Sequence, residues 1–365
     1  MEISVEKKDL ANGLQKMVGA INLKPSLPAL SFILLEAEGE KLFLTATDLE
    51  LTIKTIIPCR VKGKGKLLVP GRRFTNIIKE LPEAEIEITE DKTKKTCIAV
   101  NNIFFTLPGL KTEEFPTLPK IGKGTSLKMK EGALKIMLKR TRFSIAYDET
   151  KAFLRGLLFS FKKDSLILVG TDTRRLAYIR KSFPSPVERD LILPIKLIDE
   201  LEQCLGQEEE VEVAINPNQI TFKTGDTLII SQIIEGQFPS YETVFPPEEG
   251  LKKIKVKRLG LIDAVRRVSL LASERYNSLR FDFAPKKMTV SINSPEVGEA
   301  REQIPAEYSG ETTAISFNPV YVLDVLKNLE TENIIIGITD PLKPALIQPD
   351  SQEEYKYVLM PVKIE

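Results

Sequence analysis

The chain has 365 residues, 42% hydrophobic and 28% charged, with a formal net charge of +1, an ordinary globular composition that excludes a uniformly basic nucleic-acid binder but leaves local charge open. It contains no histidine, which removes Ser-His-Asp and Cys-His nucleophilic chemistry and the usual imidazole metal sites while leaving carboxylate-only chemistry possible; no cofactor and no metal are expected. Three widely spaced cysteines (Cys59, Cys97, Cys204), the lack of an 18-residue apolar run and a polar start at Met1 argue against a disulfide framework, a membrane span and a secretory signal, and point to the cytoplasm.

In chain order, Leu10, Leu14, Met17, Val18 and Ile21 share one helical face, predicting an amphipathic helix that runs into a strand from Leu30 to Glu36. The segment Leu44-Thr45-Ala46-Thr47-Asp48-Leu49-Glu50 ends a strand in a turn. Leu68-Val69-Pro70-Gly71-Arg72-Arg73-Phe74 then opens a second helix ending at Leu81, with proline near its first turn. The same text recurs. Leu134, Met137, Leu138 and Ile145 mark a helix, Leu154 to Phe161 a strand, and Val169-Gly170-Thr171-Asp172-Thr173-Arg174-Arg175-Leu176 the turn. Ile192-Leu193-Pro194-Ile195-Lys196-Leu197-Ile198 is the second helix start. Both the Thr-Asp pairs and the prolines lie 124 residues apart. A third copy has Ile262, Val265, Val268 and Leu271, then Leu279 to Phe283, then Val290 to Glu296 without the Asp, then Ile315-Ser316-Phe317-Asn318-Pro319-Val320.

Each unit reads helix, strand, strand, helix, then several strands, which predicts an α+β fold of three similar domains. Breaker-rich segments at Phe115 to Gly124 and Phe245 to Gly250 set the expected domains at 1–119, 125–246 and 252–365. A period of about 120 residues is a domain length, too long for a solenoid repeat.

Charge is unevenly placed. Lys7, Lys8 and Lys16 lie on the first opening helix, Lys130, Lys135, Lys139, Arg140 and Arg142 on or beside the second, and Lys257, Arg258, Arg266, Arg267 and Arg275 on or beside the third. One basic helix face is usually just solvated; recurrence in three repeats suggests a joint surface for phosphates that carries no sequence information. The few aromatics there, Phe143 and Tyr147, make no stacking platform for single strands, so duplex backbone is the better ligand.

Taken together, these segments resemble the bacterial DNA polymerase sliding clamps, the beta subunit of the replicative polymerase. The resemblance covers essentially the whole chain. It rests on Leu27-Pro28-Ala29-Leu30, Thr45 to Glu50, Val69 to Phe74, Glu114-Phe115-Pro116, Gly170 to Ala177, Gly236-Gln237-Phe238-Pro239-Ser240-Tyr241, Phe317-Asn318-Pro319, Val322 to Leu326 and Tyr357 to Lys363, in the right order and spacing. It implies the DNA clamp fold, two helices packed on antiparallel sheet in each of three domains, and a head-to-tail homodimeric ring whose helices face the duplex. It implies no catalysis; a DNA polymerase or transferase label would attach only by association. The implied partners are double-stranded DNA in any sequence, a second copy of the chain, the DNA polymerase III catalytic subunit, the clamp loader complex and other clamp-motif replication and repair proteins, with no membrane.

The resemblance also carries residues. For DNA it implies Lys24, Arg72, Arg73, Lys196, Arg275 and Asn277, with the loop at Asp148 and Glu149. A partner-peptide pocket is implied at Leu154, Thr171, Thr173, Arg174, Arg175, Leu176, Pro239, Val244, Leu342, Pro344, Val358, Met360, Pro361 and Val362, a mainly aliphatic set with a few polar groups to orient a backbone. Thr173-Arg174 stands where Gly-His is often seen, and Pro344 where a small polar residue occurs. The subunit joint is implied at Phe105 and Leu107 against Leu270 and Leu271 of the other copy, with Glu296, Glu299 and Glu302 facing cations such as Arg73. Two other readings use the same residues: a carboxylate-dependent hydrolase built on Asp48 and Asp172, and a repeat scaffold that binds protein only. The absent histidine weakens the first and the basic helices weigh against the second. Asp48 and Asp172 occupy equivalent strand-end turns, where Asp commonly binds its own backbone.

Overall fold

The computed structural model describes the whole chain except residues 23–24, 119–121, 123, 148–149, 208, 274–276, 295–296 and 363–365. Lys24, Asp148, Glu149, Arg275 and Glu296 therefore lie outside the described residues. Six α-helices lie among those described, two per repeat: α1 (Lys7–Gln15), α2 (Gly71–Glu80), α3 (Glu131–Thr141), α4 (Ile195–Cys204), α5 (Arg258–Val268) and α6 (Pro319–Asn328).

The opening strand of each repeat is absent from the sequence reading. Glu2–Glu6, Thr125–Lys130 and Lys252–Lys257 run straight into α1, α3 and α5. Each is short; Leu127 and Met129 in the second and Ile254 and Val256 in the third are buried at alternate positions, the period-two signature of a half-buried strand, whereas the first buries Ser4 along with Ile3 and Val5. Each helix start is fixed by one backbone bond to a segment far along the chain: Lys7 N to Ala84 O (3.1 Å), Glu131 N to Glu209 O (2.9 Å) and Arg258 N to Glu332 O (2.9 Å). The three first residues differ, yet the bond recurs, because it uses only the backbone.

The first helix is shorter than its apolar stripe. α1 ends at Gln15, and Val18–Ala20 forms a 3-10 turn. A Cβ at Gly19 would meet the Glu200 carboxylate of α4, so this close approach requires glycine there. Similarly, Pro28–Ser31 is a 3-10 turn, and the strand after it is Phe32–Glu38.

The chain divides into two compact units, Met1–Lys135 with Leu193–Ile233, and Ile136–Ile192 with Ile234–Glu365. In the first, an eight-stranded sheet runs Thr125–Lys130, Glu210–Ile215, Gln219–Thr224, Thr227–Gln232, Leu51–Pro58, Lys41–Thr47, Phe32–Glu38, Gly65–Pro70. Four strands come from each of two successive repeats, joined antiparallel where Ile229 faces Ile53. A five-stranded sheet runs Arg60–Gly63, Glu2–Glu6, Glu85–Glu90, Thr96–Val100, Ile103–Leu107.

The second unit repeats this scheme. Its eight-stranded sheet runs Arg189–Pro194, Gly156–Lys162, Ser165–Thr171, Arg175–Ser182, Tyr355–Leu359, Ala345–Pro349, Asn333–Ile338, Lys252–Lys257. Its halves join where Ala177 faces Tyr357. Its second sheet has four strands, Gly298–Pro305, Lys287–Ser294, Leu279–Ala284, Thr313–Phe317. Ile103–Leu107 and Gly298–Pro305 are terminal strands, with no neighbour on their outer sides among the described residues.

Helices pack on these sheets through narrow apolar stripes. α2 buries Gly71, Phe74 and Ile78 and exposes Arg72 and Arg73. Phe74 is fully buried, so truncation to Ala costs about 3–5 kcal/mol. Glu131 is buried too, but its carboxylate is satisfied: Gly206 N and Thr224 Oγ1 both donate to it, as a buried charge requires.

Candidate binding surfaces

Two turns of matching geometry end the paired strands of the first and second repeats. In the first, Leu49 N donates to Thr47 Oγ1 (3.1 Å), while Glu50 N and Leu51 N donate to Asp48 Oδ1 at 3.0 and 2.7 Å. In the second, Thr173 N donates to Thr171 Oγ1 (3.2 Å), and Arg174 N and Arg175 N donate to Asp172 Oδ1, both at 3.0 Å. The aspartates thus fold their own turns. Leu49 (φ 80°) and Thr173 (φ 71°) sit in the left-handed region, which is strained for any side chain and most for a β-branched one.

Beside the second turn lies a cavity of about 240 Å³, lined by Leu154, Thr171, Thr173, Arg175, Leu176, Pro239, Ser240, Tyr241, Val244, Val358 and Met360. It is smaller than the roughly 300–1,000 Å³ of most small-molecule sites and suits the apolar side chains of a peptide. Its floor belongs to a buried cluster of Leu158, Val169, Leu176, Tyr178, Tyr241 and Val358, against which Phe238, Val244 and Phe245 pack. Met360 N donates to Arg174 O at 2.9 Å, holding the strand end at the turn. Of the pocket residues implied from sequence, Arg174, Leu342, Pro344, Pro361 and Val362 do not line this cavity. Arg174 and Leu342 are exposed, and Val362 N instead donates to Ser316 O (2.8 Å), covering the edge of Thr313–Phe317. Ser240 and Tyr241 line it unanticipated, although both lie in a segment that carries the family resemblance.

The polar element of the cavity is Arg175, whose side chain is only 9% exposed. Its Nε donates to Asp172 Oδ2 (2.9 Å) and its Nη1 to Asp324 Oδ2 (2.6 Å). The guanidinium stacks over Tyr321 at 4.3 Å and approaches Phe143 at 5.7 Å. Burial works against its charge, yet Tyr357, Asp324 and Asp172 hold its pKa above the ordinary arginine range.

The basic helices are less free than their sequence suggests. Lys7 pairs with Glu83, Lys139 with Glu330, Arg140 with Glu353 and Arg267 with Glu302. Lys135 donates to Leu205 O, and Arg258 to Thr331 O and Leu326 O. Lys196 is ion-paired to Asp48, so this expected DNA contact is already engaged within the chain. Its equivalent on α2, Arg72, and the adjacent Arg73 are exposed and form no ion pair among the described residues; Asn277 is also exposed.

On the outer strand Ile103–Leu107, Phe104 is 65% exposed and Phe105 is 37% exposed, whereas Leu107 is buried in its own sheet. Leu270, just past α5, is 81% exposed. Glu299 is exposed, while Glu302 receives two hydrogen bonds from Arg267 (2.8 and 2.6 Å). Phe104 is missing from the sequence assignment because strand alternation alone does not tell which of two adjacent aromatics is uncovered. No helix among the described residues is long and apolar enough to cross a membrane.

The chain matches the N-terminal, central and C-terminal domains of the DNA polymerase III beta subunit over residues 1–119, 128–240 and 242–363. It is 31% identical to the beta sliding clamp of Pseudomonas putida, covering all of both chains, and 30% identical to that of Chlamydia pneumoniae, covering 100% of this chain and 99% of the other. Among solved structures, the Bartonella birtlesii sliding clamp bound to griselimycin superposes with a TM-score of 0.94 at 29% identity, and the Pseudomonas aeruginosa clamp bound to the same compound with 0.93 at 30%, each over the full length of both chains.

Proposed function

The chain belongs to the DNA polymerase III beta subunit family, the bacterial sliding clamps, and from that premise we propose how its surfaces serve the role. A sliding clamp is a non-catalytic processivity factor, and this chain is not an enzyme. We infer that two copies close head to tail into a ring around duplex DNA in the cytoplasm, and that the cavity beside Thr173 captures peptide segments of the polymerase catalytic subunit, the clamp loader and other replication and repair proteins. The effect is one of effective concentration: a polymerase tied to a ring on DNA stays near its template.

The observation that supports the ring is the strand arrangement. Each eight-stranded sheet joins half-sheets of successive repeats, while the first and last half-sheets end in the edge strands Ile103–Leu107 and Gly298–Pro305, each paired on one side only among the described residues. Pairing these strands between copies would continue the same scheme and remove two aggregation-prone edges. Phe104 and Phe105 would then be covered together with Leu270 and Leu271 of the partner subunit, and Glu299, exposed at this edge, would meet a cation such as Arg73. Arg72 and Arg73 supply exposed charge for phosphate, each contact weak enough to allow sliding.

Nothing in the geometry favours a hydrolase. Both repeated aspartates bind their own turn amides, and each meets a cation, Lys196 or Arg175. The ring is tested by light scattering. The native chain is expected at twice its 41.0 kDa mass, and Leu270→Ala with Leu271→Ala at half of that with unchanged circular dichroism. An undiminished mass for the double variant would place the joint elsewhere.

A further inference from the structure

The guanidinium of Arg175 lines the cavity, but much of what orients it comes from behind. Asp172, in the same turn, takes Nε while its other oxygen holds two turn amides. The second carboxylate, Asp324, comes from α6, 149 residues away in sequence. From the same helix, Tyr321 stacks on the guanidinium, and its backbone carbonyl accepts from Tyr357 Oη at 3.0 Å. A guanidinium is a planar fork of five N–H donors. Anchored by two separate carboxylates, with the Tyr357 hydroxyl as a further partner and a ring stacked on its face, it presents its remaining donors to the cavity in one fixed orientation. With Asp172 alone it would pivot about Nε.

We infer that Asp324 is a positioning residue for partner peptides: it holds Arg175 so that the guanidinium's unused donors meet a peptide backbone entering the cavity. The inference rests on reading that cavity as the peptide groove. Asp324 does not line the cavity, so its effect passes entirely through Arg175. A buried charge held by two partners is also in the situation where losing one leaves the other unable to fix the geometry.

The test is a double-mutant cycle read by fluorescence anisotropy, with a fluorescein-labelled pentapeptide carrying Leu and Phe, on the full chain. Asp324→Asn is expected to weaken binding about tenfold, the scale of one hydrogen bond to a charged group, with the melting temperature and light-scattering mass held. Asp324→Glu should restore most of the loss. In an Arg175→Met background, adding Asp324→Asn should change nothing further. If Asp324→Asn folds poorly, Arg175→Lys, which keeps the charge but loses the fork, is expected to show the same tenfold loss in a folded protein. Val244→Arg, which fills the cavity, separates the two readings. If it abolishes binding while Asp324→Asn (or, failing that, Arg175→Lys) binds like the wild type, the positioning role is wrong and the groove stands. If Val244→Arg binds normally, the groove reading falls and this inference with it. Additive losses in the cycle would also overturn it, because Asp324 would then act independently of Arg175.

Discussion

The turns at Thr47–Leu51 and Thr171–Arg175 share one local structure and face opposite circumstances. In the first, the outer oxygen of Asp48 meets Lys196, and Leu49 O accepts the side-chain amide of Gln232 at 3.0 Å. In the second, the outer oxygen of Asp172 meets Arg175, whose guanidinium turns to Asp324, and a cavity stays open over Leu154, Leu176 and Val358. Even the crossing backbone bond is matched, Gln232 N to Glu50 O against Met360 N to Arg174 O, both 2.9 Å. A repeated motif therefore fixes the shape of the turn, while residues supplied by other parts of the fold decide what lies beside it.

The largest effect that would sharpen this contrast comes from the chain end. Deleting Met360–Glu365 removes a lining side chain and the bond to Arg174, and should weaken the labelled pentapeptide by roughly a hundredfold. The deletion also removes the Val362 N–Ser316 O bond, so circular dichroism is measured alongside to show that the shortened chain stays folded. Binding that survives the deletion would mean the open turn is not the receptor.

Of similar size is a pH effect confined to the first unit. Glu200 is 4% exposed, and one of its oxygens has no partner. Burial first and Asp199 second push its carboxyl from 4.5 up to about 7, against the opposing pull of Lys196 and the Gly19 amide. The folded state therefore holds this proton more tightly than the unfolded chain. The associated stability is complete below about pH 4.5 and is lost as pH rises through 7, by up to about 3 kcal/mol. Glu200→Gln should flatten that part of the melting profile between pH 5 and 8 and raise stability at pH 8. An unchanged profile would show that the carboxylate is solvated in solution.

Smaller still is turn strain. Thr173→Gly should stabilise the second turn by up to about 1 kcal/mol, and Leu49→Gly should stabilise the first by less, because threonine is β-branched. Denaturant midpoints measure both, and the reverse order would undo the matched-turn comparison. Smallest is Lys196→Ala, a half-exposed ion pair worth under about 1 kcal/mol, with no expected change in peptide affinity.

The turns themselves were legible because Thr-Asp at a 124-residue spacing is a local pattern whose hydrogen bonds are local too. The cavity was legible through its aliphatic residues and the family resemblance. Its anchoring was not, since Asp324 reads in sequence as one polar residue on an apolar helix. The charged helices were only half legible for the same reason: a run of Lys and Arg reveals nothing of Glu83, Glu330, Glu353 and Glu302, which lie distant in sequence and engage them. The close approach of Glu200 to Gly19 was hidden likewise, because the two lie far apart in sequence.

Encirclement is best tested by topology. The chain is loaded onto nicked circular duplex with a bacterial clamp loader and ATP, the complex is isolated by gel filtration, and half is cut once with a restriction enzyme. The account predicts that protein stays on the circles and slides off the linear DNA. Equal retention on both forms would mean that ordinary contacts hold the chain to DNA, and would contradict the ring.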